Sequence, residues 1–248
     1  MGADGLLSTM RRQLGLGRLL PLRQEAEWAG WLTERAARAA LTRAVAEAAP
    51  GVRLGELRLG ADGDPRDPSE DAALPAPSGA LPPGPLRMTA EFAAYPTVPL
   101  TGVAERVRAA LVEEATERLG LSVAAVDLEV TELLSEPPEP AGPPHEPPSP
   151  PDSLRSGGPC ADEVAEAVTA VDGVAGLSAV LDGWLGAVRV EDRQEPPSRL
   201  VRLQWEAEGR RPLPALAGEV ARAAASAAAR DGGAPGPVRV TLLVTAVD

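Results

Sequence analysis

Two stretches of the chain repeat one pattern, and this repetition constrains the fold more than any other feature of the sequence. The first reads PTVPLTGVAERVRAALVEEATERLGLSVAAVDLEVTEL (residues 96–133), and the second reads RRPLPALAGEVARAAASAAARDGGAPGPVRVTLLVTAV (residues 210–247). Each begins near a Pro-Leu pair, continues with apolar residues at helical spacing and ends in a segment where apolar and polar residues alternate. The repetition predicts a duplicated helix–strand unit.

The residues before each stretch extend the repeat to five elements. In the first copy we predict a helix that starts at Trp31 with Thr33 as its N-cap, followed by strands near residues 52–60 and 86–94. In the second copy we predict a helix that starts at Cys160 and strands near residues 186–192 and 199–209. The sequence therefore predicts an α+β protein of two tandem two-layer modules. Each has the order helix–strand–strand–helix–strand, with a small three-stranded sheet covered by two helices.

Two Pro-rich segments interrupt this pattern, and they define the predicted domains. Their Pro, Gly and acidic residues bury too little apolar surface to offset the entropy of ordering. We expect four regions. They are a basic, flexible N-terminal arm (1–30), a first module (31–134) with a disordered hairpin loop (61–85), a Pro-rich acidic linker (135–159) and a second module (160–248).

The charge balance makes nucleic-acid binding the less favoured of two functional hypotheses. The net charge is −12 and the pI is near 4.7, so the chain repels phosphate backbones and nucleic acid is an unfavourable partner. A nucleic-acid-associated α/β module stays the second hypothesis, because small three-stranded units of this kind often bind RNA. A single cysteine and the lack of an apolar run of roughly 18–20 residues lead us to expect a cytoplasmic protein.

The N-terminal arm is the exception to the acidic composition. Residues 10–23 read MRRQLGLGRLLPLR, in which leucines alternate with arginines and no acid occurs. Such a segment can lie on an anionic membrane surface or dock on a partner; the alternative is an arm that packs on its own domain or frays. The residues predicted for membrane or partner contact are Arg11, Arg12, Leu16, Arg18, Leu19, Leu20 and Arg23.

Few residues suit catalysis. His145 lies in the Pro-rich linker, where it has no rigid partner, and Cys160 is followed closely by acids. One histidine and one cysteine cannot close a zinc site. Asp127 and Glu129, two apart on a predicted strand, could act as a carboxylate pair, but alternate acids are ordinary on a solvated strand. We expect no enzymatic activity, no cofactor and no metal.

The order of these elements, with several recurring residues, resembles the alkaline-shock-protein family, also called the envelope stress response family. The resemblance covers both predicted modules and leaves out the two Pro-rich segments. In the first copy it rests on Pro50, Gly51, Val52, Tyr95, Pro99, Leu100, Val103, Ala104, Val107, Val123, Val126, Leu128 and Val130. In the second copy it rests on Val171, Asp172, Gly173, Val174, Pro212, Leu213, Leu216, Ala217, Val220, Val238, Val240, Leu242 and Val244.

This resemblance implies a function by binding. Members of the family are bacterial cytoplasmic proteins that are often held near the membrane by a small membrane-anchored partner, and they are not known as enzymes. We therefore expect a non-enzymatic interaction protein that binds a partner at the cytoplasmic side of the cell membrane, with indirect or peripheral membrane contact. The expected partner is another protein, for example a membrane-anchored one. Association of two or more copies of the chain into a homo-oligomer is a further expectation. Typical members have one module, whereas two linked modules raise the effective concentration at a shared site.

Overall fold

A computed structural model describes residues 17–63, 74, 76–77, 79–95, 99–138, 158–180, 186–230 and 233–248. In this part the chain is α+β, with four α-helices and two mixed sheets. The strands are β1 (Leu19–Gln24), β2 (Trp28–Thr33), β3 (Val52–Ala61), β4 (Leu86–Ala94), β5 (Val123–Leu133), β6 (Val174–Leu177), β7 (Val188–Gln194), β8 (Pro197–Ala207) and β9 (Val238–Val247). The helices are α1 (Glu34–Ala48), α2 (Leu100–Glu113), α3 (Gly158–Thr169) and α4 (Leu213–Arg230), and a π-helical turn (Glu114–Arg118) extends α2.

The first sheet has the strand order β3-β4-β5. β3 is antiparallel to β4, and β5 is parallel to β4 because α2 carries the chain back across the sheet. The buried side chains of β4 alternate, with Leu86, Met88, Ala90 and Phe92 facing the helices. The strand predicted near residues 86–94 is confirmed.

The second sheet has the strand order β1-β2-β9-β8-β6, and β7 also pairs with β8. β6 and β7 lie along the same edge of β8, so together they take the place that β3 alone takes beside β4. The side chain of Gln204 bridges the gap between them. It accepts a hydrogen bond from the Val180 amide and donates one to the Gly186 carbonyl, each at 3.1 Å. β8 and β9 are parallel, as β4 and β5 are.

One continuous hydrophobic core joins the two sheets and all four helices. The connection between the sheets runs through β2 and α1, since α1 contacts β9 of the second sheet as well as β3 of the first. Thr33 fixes this joint. Its hydroxyl caps α1 by accepting a hydrogen bond from the Ala36 amide at 3.2 Å, and it also lies 3.4 Å from the carbonyl of Thr245 on β9. The predicted N-cap is confirmed.

The predicted flexible arm over residues 1–30 is wrong for the residues that are described. Residues 19–24 and 28–33 form β1 and β2, and the parallel pairing of β2 with β9 extends the second sheet beyond the three predicted strands. Trp31, predicted as the start of a helix, is a buried strand residue, and the helix begins at Glu34. The physical reason is that β2 buries every one of its side chains by covering the edge of β9.

The predicted disordered loop over residues 61–85 is also partly ordered. Leu74 is buried with Leu19, Trp31 and Leu243 on the face of the second sheet that points away from the helices. The segment that ends in Leu81 hydrogen-bonds to Leu19, which donates to the Gly79 carbonyl and accepts from the Leu81 amide. Apolar burial on that sheet face provides the stabilisation that composition did not reveal. Most of the predicted linker, 139–157, lies outside the described residues.

Candidate functional site

The outer edge of β5 is the most unusual surface of the described protein. β5 pairs with β4 alone among the residues that the structure describes. Its helix-facing side chains become more exposed along the strand: Val126 and Leu128 are partly buried, Val130 is 40% exposed and Leu133 is 57% exposed. In the described ranges, Val112 on α2 is the one other large apolar side chain exposed to this degree. An open strand with apolar side chains is a template for pairing with another chain.

The same strand position in the second sheet is covered. Val130 lies opposite Phe92, and Val244 lies opposite Trp205, in parallel ladders of the same register. Both ladders also shift register at the next residue, between Phe92 and Ala93 in one sheet and between Trp205 and Glu206 in the other. The residues of β9 that correspond to the exposed ridge are nevertheless buried, since β2 pairs along β9 and α1 contacts it. In the described part of the chain, β5 has no strand on its outer edge.

The opposite face of β5 carries carboxylates. Asp127 accepts a hydrogen bond from Arg87 at 2.7 Å, and Glu132 accepts one from Arg53 at 2.8 Å. Hydrogen bonds to Asp127 and then to Asp62 raise the pKa of the Arg87 guanidinium above its ordinary value. These groups form exposed ion pairs, which are individually weak.

Glu129 is the acid of β5 that keeps no cation of its own. It lies directly opposite Glu91 in the parallel ladder and makes no ion pair within the described part of the chain. The predicted carboxylate pair of Asp127 and Glu129 thus shares a strand, but Asp127 is engaged by Arg87. Its geometry is that of a solvated, negatively charged strand face.

A small charged cleft lies where the two sheets meet. Its volume is about 190 Å³, below the roughly 300–1,000 Å³ of typical ligand pockets. Its lining residues are Ala40, Arg43, Ala44, Glu47, Glu114, Arg118, Glu208, Gly209, Arg210 and Asp248. The π-helical turn places Glu114 and Arg118 at this cleft. Burial raises the pKa of the Glu114 carboxyl, while the charges of Arg118 and Arg43 oppose that rise.

The arginines of this cleft bind the protein's own backbone. Arg118 donates to the Gly209 carbonyl, and Arg43 donates to the Val247 carbonyl at 3.1 Å. Arg210 pairs with Glu208. These contacts join α1 and the π-helical turn to the end of the second sheet. The cleft therefore has the chemistry of a joint between the two halves of the core, since its cations already have acceptors.

A buried arginine lies beside the single cysteine. Arg199 on β8 is 4% exposed and holds Asp192 of β7 through two hydrogen bonds of 2.7 and 2.8 Å. The same guanidinium donates to the Ala228 carbonyl at 2.7 Å and lies 3.8 Å from the Cys160 sulfur. The sequence analysis, which considered only the acids that follow Cys160, thus missed a charged neighbour, Arg199. The sequence shows Arg199 in the predicted strand near residues 199–209, but it does not show that the side chain of Arg199 reaches Cys160 on α3.

The predicted contact residues of the N-terminal arm do not form one surface. Arg11, Arg12 and Leu16 lie outside the described residues. Leu19 and Leu20 are buried in the core, at 3% and 0% exposure, so their assignment to a membrane or partner surface is wrong. Burial in the second sheet is the reason, and the alternative that the arm packs on its own domain holds for them.

Arg18, just before β1, contacts both the first sheet and α1. Arg18 is exposed, yet its guanidinium donates to the Leu59 carbonyl at 2.5 Å and lies 3.6 Å from the Glu34 carboxylate. Arg23 is part of β1, and its side chain lies outside the described residues. Arg18 therefore ties the arm to the first sheet and to α1.

Other chemical groups give no further site in the described part. His145 lies outside it. The described ranges contain no group of three or more His, Cys, Asp or Glu side chains arranged to hold a metal ion. Within the same ranges, no helix has the length and apolar character required to cross a membrane.

Comparisons with known proteins do not identify a relative. No model of a protein family matches the chain, and neither curated proteins nor solved structures give a match. The resemblance to the alkaline-shock-protein family therefore stays a prediction from the sequence pattern.

Proposed function

We propose that this protein is a non-enzymatic interaction protein that binds a protein partner through the open edge of β5. The observation that carries this proposal is the difference between two equivalent strands. β9 has its apolar ridge covered by β2 and α1, whereas β5 leaves Val130 and Leu133 exposed. The pairing of β2 with β9 thus shows, within this chain, how a neighbouring strand covers such an edge. A partner that supplies a strand to β5 would bury the same kind of ridge.

We further propose that the chain consists of two tandem copies of one module. Three features support this. In both copies one helix precedes the antiparallel strands and a second helix precedes the last strand, the last two strands are parallel, and the ladder between them shifts register at the same place. Duplication explains why β5 keeps an apolar ridge without cover. In the second copy the equivalent strand has β2 as a neighbour, and β5 has no second neighbouring strand among the described residues.

The site of action in this proposal is the cytoplasmic side of a cell membrane, as the family resemblance implies, with membrane contact through the partner. The arm does not supply direct contact through Leu19 and Leu20, because both are core residues. The acids of β5 also favour a protein over a nucleic acid at this edge, since Asp127, Glu129 and Glu132 repel phosphate.

Site-specific photo-crosslinking in the native cell tests this function. A photoreactive amino acid at Val130 should capture a partner, while the same group at Gln194, an exposed residue at the end of β7, should not. Cell fractionation should recover part of the protein with membranes, and Val130→Lys combined with Leu133→Lys should release it. Equal capture at both positions, or none at position 130, contradicts binding at the β5 edge. Capture at position 130 from a fully membrane-free protein contradicts the membrane location alone.

A further inference from the structure

The way β2 covers β9 specifies what a strand beside β5 must look like. β2 runs parallel to β9, with Trp28, Gly30 and Leu32 opposite Val240, Leu242 and Val244. Trp28 and Leu32 belong to the helix-covered core. A strand beside β5 in the same arrangement would place alternate apolar side chains over the ridge that includes Val130.

The other face of β5 differs from that of β9 in charge. By register, Asp127 and Glu129 correspond to Thr241 and Leu243, and Glu132 corresponds to Ala246. β5 therefore presents three carboxylates where β9 presents neutral groups, and β5 itself contains no basic residue. Opposite charges on neighbouring strands stabilise a sheet, and like charges destabilise it. The side chains of an incoming strand on this face should be basic.

This charge pattern also disfavours a second copy of the chain. If β5 paired with β5 of another molecule, the carboxylates of both strands would share one sheet face. Arg87 and Arg53 are already engaged by Asp127 and Glu132, and Glu129 already faces Glu91. A second copy would bring the same acids to that face, and its own Arg53 and Arg87 would already be engaged in the same way.

We propose that the β5 edge binds an extended segment of another protein that runs parallel to β5 and alternates apolar residues with arginine or lysine. The apolar residues cover the ridge formed by Val126, Leu128, Val130 and Leu133, and the basic residues face Asp127, Glu129 and Glu132. Glu129 is the main determinant, because it has no ion pair of its own among the described residues. This inference rests on the proposed function and adds the direction and chemistry of the partner segment.

Synthetic nonapeptides with the full-length protein provide the test. One peptide alternates valine with arginine, two others replace arginine by glutamate or by threonine, and a fourth has the composition of the first in two blocks. At about 0.15 M salt, the alternating arginine peptide should bind at least about tenfold tighter than the other three. Glu129→Arg should weaken its binding about five- to tenfold. Glu163→Arg, an equal charge change on the exposed side of α3, should alter it less than about twofold.

A photo-crosslinker on the peptide shows whether the peptide runs parallel or antiparallel to β5. A crosslinker at its C-terminal end should label residues 130–134, and one at its N-terminal end should label residues near Val123. The reverse pattern overturns the parallel arrangement.

The outcomes separate this inference from the proposed function. Equal binding of all peptides, or an equal effect of Glu129→Arg and Glu163→Arg, overturns the charge specificity while capture at position 130 in cells still supports partner binding. A dimer in sedimentation analysis that Leu133→Lys dissociates overturns the inference in favour of a second copy. Failure of every peptide to bind also overturns it, whereas failure of cellular capture at position 130 overturns the proposed function.

Discussion

Val130 and Val244 occupy equivalent positions in their sheets and differ completely in burial. Each lies one residue before a register shift and opposite an aromatic residue, Phe92 for Val130 and Trp205 for Val244. Val130 is 40% exposed, whereas Val244 is fully buried beneath the cover that β2 and α1 provide. The helix-facing apolar residues of the two strands match, so the difference on this face comes from the elements that lie beside each strand.

This difference gives a matched pair of stability measurements. Val244→Ala removes two methyl groups from a filled core and should lower the free energy of unfolding by about 2–3 kcal/mol. Val130→Ala removes the same groups from an exposed ridge and should change it by less than about 0.5 kcal/mol. Urea denaturation followed by circular dichroism measures both. Equal losses for the two variants would show that the β5 ridge is covered in the free protein.

Gly120 provides a test of the joint between the halves of the core. It has a φ of +70°, and a Cβ added there would overlap Pro214 at the start of α4. Gly120→Ala should therefore lower the free energy of unfolding by about 1–2 kcal/mol because of the backbone conformation. Displacement of Pro214 should lower it further. Gly102→Ala is the control, because nothing lies within 4 Å of a Cβ at that position on α2. This control should be neutral or stabilising by up to about 1 kcal/mol.

The joint should also show in the shape of the unfolding curve. The native protein, with one continuous core, should unfold in one transition, and Gly120→Ala should broaden it or divide it in two. A single sharp transition with unchanged midpoint for Gly120→Ala would contradict the close approach of Gly120 to α4.

Local patterns predicted the regular elements well where one face is buried. The alternating segment that ends the first repeated stretch was predicted as a strand and forms β5, and Thr33 was recognised as a cap. Both depend on neighbours in sequence: alternation sets which face is buried, and a cap bonds to an amide three residues away. The strand predicted near residues 199–209 likewise forms β8, and its alternate residues Val201, Leu203, Trp205 and Ala207 lie in the main core.

The contribution of the N-terminus could not be predicted in the same way. β2 pairs with β9, so Leu32 lies opposite Val244, far away in sequence. Trp31 and Leu32 stand next to an Ala-rich helix, and their apolar character suits a helix as well as a strand. The open β5 edge was missed for the same reason. Its helix-facing apolar residues match those of β9, and the acids on its other face are ordinary for a solvated strand, so they do not by themselves mark an open edge.

Arg199 and Asp192 should respond unequally to removal of either partner. Arg199 is 4% exposed, whereas the side chain of Asp192 is 35% exposed. Asp192→Ala leaves a buried guanidinium without this carboxylate and should cost about 3–5 kcal/mol in unfolding free energy. Arg199→Met leaves a carboxylate that reaches water and should cost about 1–3 kcal/mol. Denaturation of both variants checks the order.

The double variant completes this comparison. Because the buried charge is then absent, Arg199→Met with Asp192→Ala should be more stable than Asp192→Ala alone. As a control, Arg202→Met removes a more exposed arginine whose nearest acid, Glu191, is 3.5 Å away, and it should cost less than about 1 kcal/mol. A double variant less stable than Asp192→Ala would contradict the role given to the buried charge.

Glu206 should make the protein less stable as the pH rises. Burial, and then the nearby charge of Asp248, raise the pKa of the Glu206 carboxyl above its ordinary value, and Arg35 opposes them. The folded state then holds more protons than the unfolded state between the two pKa values, so the unfolding free energy falls as the pH rises from about 4.3 through the folded pKa. Glu206→Gln removes this loss. Denaturation at pH 4 and pH 7 should show a gain over the wild type that is present at pH 7 and nearly absent at pH 4.

Glu219 should have the opposite effect on how stability depends on pH. A hydrogen bond from Arg211, followed by the charge of that arginine, lowers the pKa of the Glu219 carboxyl. Its contribution is present above the ordinary pKa and is lost as the pH falls through the folded value. Glu219→Gln should therefore give no gain at pH 7, and any loss there should shrink on acidification. A gain for Glu219→Gln equal to that for Glu206→Gln at pH 7 would mean that relief of the net charge of −12, and not the burial of Glu206, controls the response.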